Sequence, residues 1–405
     1  MNFFYVSADA NYYRNTSRGT LLINLSSPPK ENQDAKHINL KHIYFATPAV
    51  TEITSAELQK LGNQLNVISI IDKDNICNGN NFPIDITYGG SLGLKDSLLK
   101  IKNISNKDEI DIVIINGFGA AIGDIIIGTS ALNIYDKFLK QYFKTIRYHV
   151  YNEHQDACKI LLENNTLITS VMHYPSPITA LYNYDALIDL GAMTSFPCFN
   201  DRSMFDFYLH VFGINADEVP PYFKRTKIFY DLKNNTELSK FIEGFKISKE
   251  KFLLFNPNST TKIRNLNKEK SDSFLQFLID NTKYEIIILH ETDFKHPRIT
   301  NLSEFSKTVF DYMTIISHMD KIITVDTSTY HISDTYNIPT VVIFTTIDPN
   351  FRIKYYPFCK SYSVLDKTHV LFGKHISQDD NDIKLLDNEV DKIDFSKILQ
   401  LLEEN

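Results

Sequence analysis

Val325-Asp326-Thr327-Ser328-Thr329-Tyr330-His331-Ile332-Ser333-Asp334-Thr335-Tyr336-Asn337-Ile338-Pro339-Thr340-Val341-Val342-Ile343-Phe344 decides the fold of this chain. The apolar run Lys321–Val325 ends at a carboxylate, hydroxyl residues then open a helical stretch, and a second apolar run, Thr340–Phe344, follows. Strand, polar turn, helix and strand in that order make a βαβ unit with parallel strands and a right-handed crossover. Open sheets of this kind keep ligands beyond the carboxyl ends of their strands, which is where Asp326 falls. An earlier stretch repeats the plan: Asn116-Gly117-Phe118-Gly119-Ala120-Ala121-Ile122-Gly123-Asp124 follows the apolar run Ile110–Ile115 and opens a helix. Two such units far apart in the chain predict two sheet domains facing one cleft.

Around these units strands and helices alternate. Further strands are predicted at Thr145–Val150, Leu167–Val171, Ala186–Leu190, Phe252–Phe255 and Glu285–Leu289. Helices are predicted at Asp124–Phe143, Ser203–Phe212, Lys268–Asn281, Thr308–His318 and Thr329–Tyr336, with an amphipathic tail helix over Asp391–Glu404. Residues 1–107 read differently, as short β-rich runs (Asn2–Val6, Thr20–Asn24, His42–Phe45, Val67–Ile71, Ile84–Thr87) between turn-rich stretches, with one short helix at Ser55–Gln64. The expected division is a β-rich domain over 1–107, sheet domains over 108–235 and 236–385, and a terminal helix over 386–405.

The 405 residues are too many for one ordinary core. At 43% hydrophobic and 22% charged the composition is that of a soluble globular protein, and a net charge of -7 argues against non-specific nucleic-acid binding. The local basic run Lys224-Arg225-Thr226-Lys227 reads as a solvated face or linker. Cys77, Cys158, Cys198 and Cys359 form no CxxC pair, so zinc-ribbon and dithiol chemistry lack support and a reducing, cytoplasmic setting is the simplest reading. The apolar stretch from Ile112 to Leu132 carries Asn116, Asp124 and several glycines, which fits a buried strand and turn better than a membrane span. His290-Glu291-Thr292-Asp293-Phe294 lacks the second histidine of a zinc-peptidase helix, and no Gly-x-Ser-x-Gly elbow occurs.

Three segments carry chemistry. Gly117, Gly119 and Gly123 let backbone approach a ligand, and with Glu153 they resemble a dinucleotide fingerprint. Asp124, directly after that turn, would repel a pyrophosphate held there and suits instead a general base or an acceptor of hydrogen bonds from sugar hydroxyls; the simpler alternative is a helix cap. Asn258-Ser259-Thr260-Thr261-Lys262-Ile263-Arg264 follows a buried strand and gathers hydroxyls, an amide and two cations, chemistry that suits a diphosphate. Asp326, Thr327 and Ser328 open a helix that carries His331 one turn in, where a satisfied core histidine is the alternative.

In order and spacing these segments resemble glycosyltransferase family 9, the ADP-heptose-dependent heptosyltransferases of bacterial lipopolysaccharide synthesis. Ala121–Leu132 resembles the family's Gly-Asp motif, whose aspartate is the catalytic base. Asn258–Arg264 resembles its phosphate loop, Asp326–His331 its Asp-Thr-Gly-x-x-His motif, and Phe344–Pro349, with Asp348, its Phe-Gly-Pro-Thr-Asp-Pro loop. Tyr184–Leu190 and Met204–Leu209 resemble intermediate landmarks. Ser328 stands for the usual glycine, Thr345-Thr346 for Gly-Pro, and the chain has no tryptophan. The β-rich extension is similar to the layout of bacterial autotransporter heptosyltransferases, which glycosylate protein hydroxyls and carry a cysteine-bound iron that the cysteines here do not match.

The resemblance implies a GT-B fold and an inverting, metal-independent transferase without cofactor. Asp124 would be the base, and Asn258, Ser259, Thr260, Lys262, Arg264, Asp326, Thr327, Ser328, His331 and Asp348 would bind the donor, ADP-heptose first. Gly119 and Gly123 would shape the acceptor turn. A glycan or protein would be the acceptor, with no nucleic acid and with room for peripheral membrane association. A nicotinamide oxidoreductase built on the glycine turn, and a silent sugar-nucleotide binder, are the competing readings.

Overall fold

The structure is a computed structural model. Within residues 1–106 it describes seven strand segments, and from 107 on it describes all residues except 116, 120, 153–156, 174–175, 191–198, 200–201, 230–235, 248–250, 378 and 405. The chain forms two compact units. The first comprises Met1–Ala120, Leu132–Asp201 and Phe207–Ala216; the second comprises Ala121–Ala131, Arg202–Asp206 and Asp217–Asn405.

The first unit holds a sheet in the spatial order Ile168–His173, Thr145–Asn152, Glu109–Ile115, Ala186–Asp189 and Ile84–Asp85, all parallel. Its central strand, Glu109–Ile115, is buried from Ile112 to Ile115, as a strand covered on both faces must be. The four strands predicted here are present, with Thr145–Asn152 and Ile168–His173 each running slightly longer at the carboxyl end. In the β-rich region Phe3–Ser7 pairs antiparallel with Ala49–Ile53 and Ser69–Asp72, and Tyr12–Thr16 with Gly19–Ile23. The helix expected at Ser55–Gln64 lies outside the described residues.

The second unit is built on six parallel strands. In space they run Ile299–Asn301, Glu285–Ile288, Phe252–Asn256, Lys321–Val325, Thr340–Phe344 and Cys359–Ser363. Numbered along the chain this is 3-2-1-4-5-6, the order of the dinucleotide-binding Rossmann sheet, whose direction of winding reverses between strands 1 and 4. The inner strands are short apolar runs with no exposed residue, and Leu253, Phe255, Ile323 and Ile343 pack with Phe274 and Leu278 of the helix Lys268–Asn281 in one hydrophobic core. That helix starts where the Asn267 side chain accepts the Lys270 N–H. Helix Val309–Ser317 starts on a reciprocal capping box between Thr308 and Asp311.

Two outer strands, Ile299–Asn301 and Cys359–Ser363, went unpredicted. Both are half-buried edge strands and lack an apolar run. In the tail an unpredicted helix, Asp380–Val390, precedes the one expected over Asp391–Glu404, which is present as Phe395–Glu403. The second begins at Asp394, whose side chain accepts the Lys397 N–H and so sets a new N-terminus after the break. The basic run Lys224–Lys227 is no solvated face throughout: Lys224 and Thr226 are buried. Among the described residues no helix is long and apolar enough to cross a membrane. Cys158 and Cys359 are buried; Cys77 and Cys198 lie outside the described residues.

Candidate functional site

The reversal point of the second unit's sheet is where the predicted segments meet. Strand Phe252–Asn256 leads into the Asn258–Arg264 loop, and the neighbouring strand Lys321–Val325 leads into Asp326 and helix Ser328–Thr335. Asn256 Nδ2 donates to Thr329 Oγ1 at 2.8 Å, and the Tyr312 hydroxyl lies 2.6 Å from the same oxygen. These bonds tie the two strand ends together beneath the site. Thr327 is the N-cap of the helix, yet its hydroxyl accepts no capping bond, which leaves the first helical N–H groups without side-chain caps.

Asp326 is buried and holds this corner. Its Oδ1 accepts the Tyr330 hydroxyl at 2.8 Å, while Oδ2 faces Arg264 Nη1 at 3.4 Å and Arg352 Nε at 3.9 Å. Burial alone would raise its carboxyl; Arg352 and Arg264, with the Tyr330 hydroxyl, outweigh that and hold it below the ordinary carboxylate value. Arg264 is fixed further by Thr261 Oγ1 at 2.9 Å, and its buried Nε–H has no hydrogen-bond partner among the described residues.

Asp124 stands in the first turn of helix Ile122–Leu139 and belongs to this same unit. Burial pushes its carboxyl upward and Asp326 adds to that, while Arg352, Arg264 and the Ala121 N–H pull it back without cancelling the rise. Its carboxyl thus lies in the field of both guanidiniums as well as at the helix start. Gly123 explains itself sterically: a Cβ there would come 2.6 Å from His331 Cδ2 and 2.9 Å from Nε2. The His331 ring thus lies directly against the start of the Asp124 helix. Its Nδ1 is 2.7 Å from the Tyr356 hydroxyl. Burial pushes the imidazole down to about 3; Asp326 opposes this, but Arg352 and Arg264 add to it, so the ring is neutral near pH 7.

The other predicted residues divide. Asn258 and Thr260 are exposed; the Ser259 N–H donates to Asn265 Oδ1 at 2.6 Å, and Ser259 Oγ accepts the Thr261 N–H. Lys262 is exposed and makes no ion pair among the described residues. Asp348 is buried, but its oxygens are engaged: Oδ1 accepts the Asn350 N–H at 3.0 Å and Oδ2 pairs with Lys367 at 3.0 Å. It caps the short turn Pro349–Phe351, at whose end Arg352 stands. Ser328 is half-buried at the helix start. In the first unit Gly117, Phe118 and Gly119 have φ of 32°, 67° and 101°, a strained elbow in which the Phe118 carbonyl accepts the Tyr208 hydroxyl at 2.6 Å. Glu153, on which the oxidoreductase alternative depends, lies outside the described residues.

Sequence reasoning missed Arg352 and the tyrosines Tyr330 and Tyr356. Only one signal pointed to Arg352, its place four residues after Asp348 in a motif already noted. The site so assembled has two carboxylates, two guanidiniums and a neutral imidazole. Among the described residues no three of His, Cys, Asp and Glu converge as a metal cage requires.

No family model matches the chain, and no curated protein matches it. Solved structures are similar to it. One is the Escherichia coli ADP-heptose lipopolysaccharide heptosyltransferase II, at 13% identity and a TM-score of 0.49, covering 73% of this chain and 100% of that one. A glycosyl transferase family 9 protein of Veillonella parvula aligns at 14% identity and a TM-score of 0.48, over 73% of this chain and 98% of the other. The iron-containing dodecameric glycosyltransferase TibC of enterotoxigenic E. coli aligns at 13% identity and 0.45, over 74% and 80% respectively.

Proposed function

We propose that this chain is an inverting glycosyltransferase that moves a sugar from a nucleoside diphosphate to a hydroxyl of a glycan or protein. The observation that carries the reading is the corner where Asp326 faces Arg264 Nη1 at 3.4 Å and Arg352 Nε at 3.9 Å, with the start of the Asp124 helix packed on His331, an environment that raises Asp124 and lowers Asp326. Environments that separate two like groups in this way assign their roles. Asp124 is the proton acceptor, and Asp326 is the permanent anion that orients the two guanidiniums. The motif resemblance names ADP-heptose as the donor.

In the proposed reaction the acceptor oxygen attacks the anomeric carbon as Asp124 takes its proton. The bond from that carbon to the diphosphate oxygen breaks, and the electron pair leaves with the nucleoside diphosphate. Arg264, its Nε–H unpartnered among the described residues, Arg352 and the uncapped N–H groups after Thr327 receive that charge. Exposed Lys262 closes on the phosphates from the solvent side. No metal is assigned a part in this scheme.

Asp124→Asn tests it. ADP binding by calorimetry should stay within about twofold of wild type, and transfer from ADP-heptose should fall by about 10²-fold or more, the usual scale of a general base. Undiminished transfer in this variant would sink the assignment.

A further inference from the structure

Asp206 lies away from the reacting groups, yet it is one of the most heavily bonded carboxylates in the second unit. Its side chain is 9% exposed and that of Lys224 is 3% exposed, with Nζ to Oδ1 at 2.9 Å. The Tyr355 hydroxyl donates to Oδ2 at 2.7 Å, Lys354 Nζ reaches Oδ2 at 3.2 Å, and Lys224 Nζ also reaches the Tyr355 hydroxyl at 3.1 Å. The Lys224 ammonium sits 4.5 Å from the centre of the Tyr355 ring. Burial by itself would raise the Asp206 carboxyl, but Lys224, Tyr355 and Ser203 hold it down and ionised. A buried ion pair is seldom the most stabilising way to fill such a space; what it supplies is a fixed geometry.

That geometry bears on a particular piece of chain. Asp348 anchors its start through Asn350 and Lys367, and Tyr355 anchors its end on Asp206. Arg352 stands between the two anchors. Tyr356 follows at once and holds His331 Nδ1 at 2.7 Å. We infer that Asp206 and Lys224 form a positioning clamp: through the Tyr355 hydroxyl they set where the Arg352 guanidinium and the His331 ring stand for a bound diphosphate. The inference rests on the transferase reading above. It names residues that touch neither donor nor acceptor and act through Arg352 and Tyr356. Small misplacements of such groups are costly, since about 1 Å is enough to lose two orders of magnitude.

The test is a double-mutant cycle read by ADP binding calorimetry on the full chain. Tyr355→Phe keeps the ring and the buried ion pair and removes only the link. Its ADP Kd should rise about tenfold with little change in Tm, and the same substitution in an Arg352→Gln background should change Kd by less than about twofold. Asp206→Asn should behave alike; should it fail to fold because Lys224 is left buried and unpaired, Tyr355→Phe still decides. An unchanged Kd in Tyr355→Phe, or effects that add fully in the cycle, overturns the clamp and leaves the transferase reading standing. A wild-type chain that does not bind ADP overturns that reading and the clamp with it.

Discussion

At the scale of single residues the site is a set of charges that constrain one another. Asp326 holds two guanidiniums, and burial, with those guanidiniums adding to it, keeps His331 neutral. The ring binds a proton only near pH 3 in the folded chain, against about 6.5 when unfolded. Folded protein therefore refuses a proton that unfolded protein takes. The stabilisation is complete above pH 6.5 and is lost as pH falls towards 3, by an amount on the order of 5 kcal/mol. Urea midpoints measured from pH 8 to pH 4 should show this slope, and His331→Gln should flatten it; an equal slope in the variant would place the titration elsewhere. Asp124 has the opposite sign. Its carboxyl is raised, so transfer should increase with pH through an ionisation above the ordinary carboxylate range, and a rate profile with no such limb would remove it as the base. Gly123→Ala drives a methyl into the His331 ring and should destabilise by about 1–3 kcal/mol. Gly244→Ala, on a helix with open space around it, should stabilise by about 0.4–1 kcal/mol, which makes the two glycines a matched control in thermal unfolding.

Among the elements, helix Ser328–Thr335 stands where one is predicted, but its degree of burial goes beyond the sequence reading. Thr329, Tyr330, His331, Ile332, Ser333 and Asp334 are all buried, so a polar helix is enclosed on almost every side. Several of its polar groups find partners, although Asp334 Oδ1 has no hydrogen bond among the described residues and faces Arg225 Nη2 at 3.7 Å. Thr226 Oγ1 donates to Asp334 Oδ2 at 3.0 Å, Arg225 Nη2 donates to the Asp334 carbonyl at 3.0 Å, and Thr340 Oγ1 donates to Ser333 Oγ at 2.8 Å. The basic run read as a solvated face is in part the strap that satisfies this helix. The turn Pro349–Phe351 is the other element that matters, because it carries Arg352 at its end. Asp348→Ala removes its cap, a loss of about 1 kcal/mol by the usual value of such caps, and should weaken ADP binding although Asp348 has no free oxygen to offer a ligand. Unaltered ADP affinity in this variant would show that the turn does not position Arg352.

At the scale of the whole molecule, the parallel strands alternating with helices could be read directly from apolar runs and turn residues. A strand covered on both faces leaves an uninterrupted apolar run, and Phe252–Asn256, Lys321–Val325 and Thr340–Phe344 all do so. A thermal-shift panel checks the function at this scale: ADP at 100 times its Kd should stabilise the chain by about 2.7 kcal/mol, equally with and without EDTA. Stabilisation by NAD in place of ADP would return the glycine turn to the oxidoreductase reading. By itself the sequence determined the sheet type, the loops that follow each strand, and Asp124, Arg264, Asp326 and His331 as candidates, because strand periodicity and motif spacing are local properties. Only the tertiary structure decided that Arg352 joins Asp326, that Lys262 is exposed, that Asp348 is spent on a turn, and that Asp206 bonds the Tyr355 hydroxyl. Those facts depend on contacts between segments far apart along the chain, and no local pattern records which charge a distant carboxylate will meet.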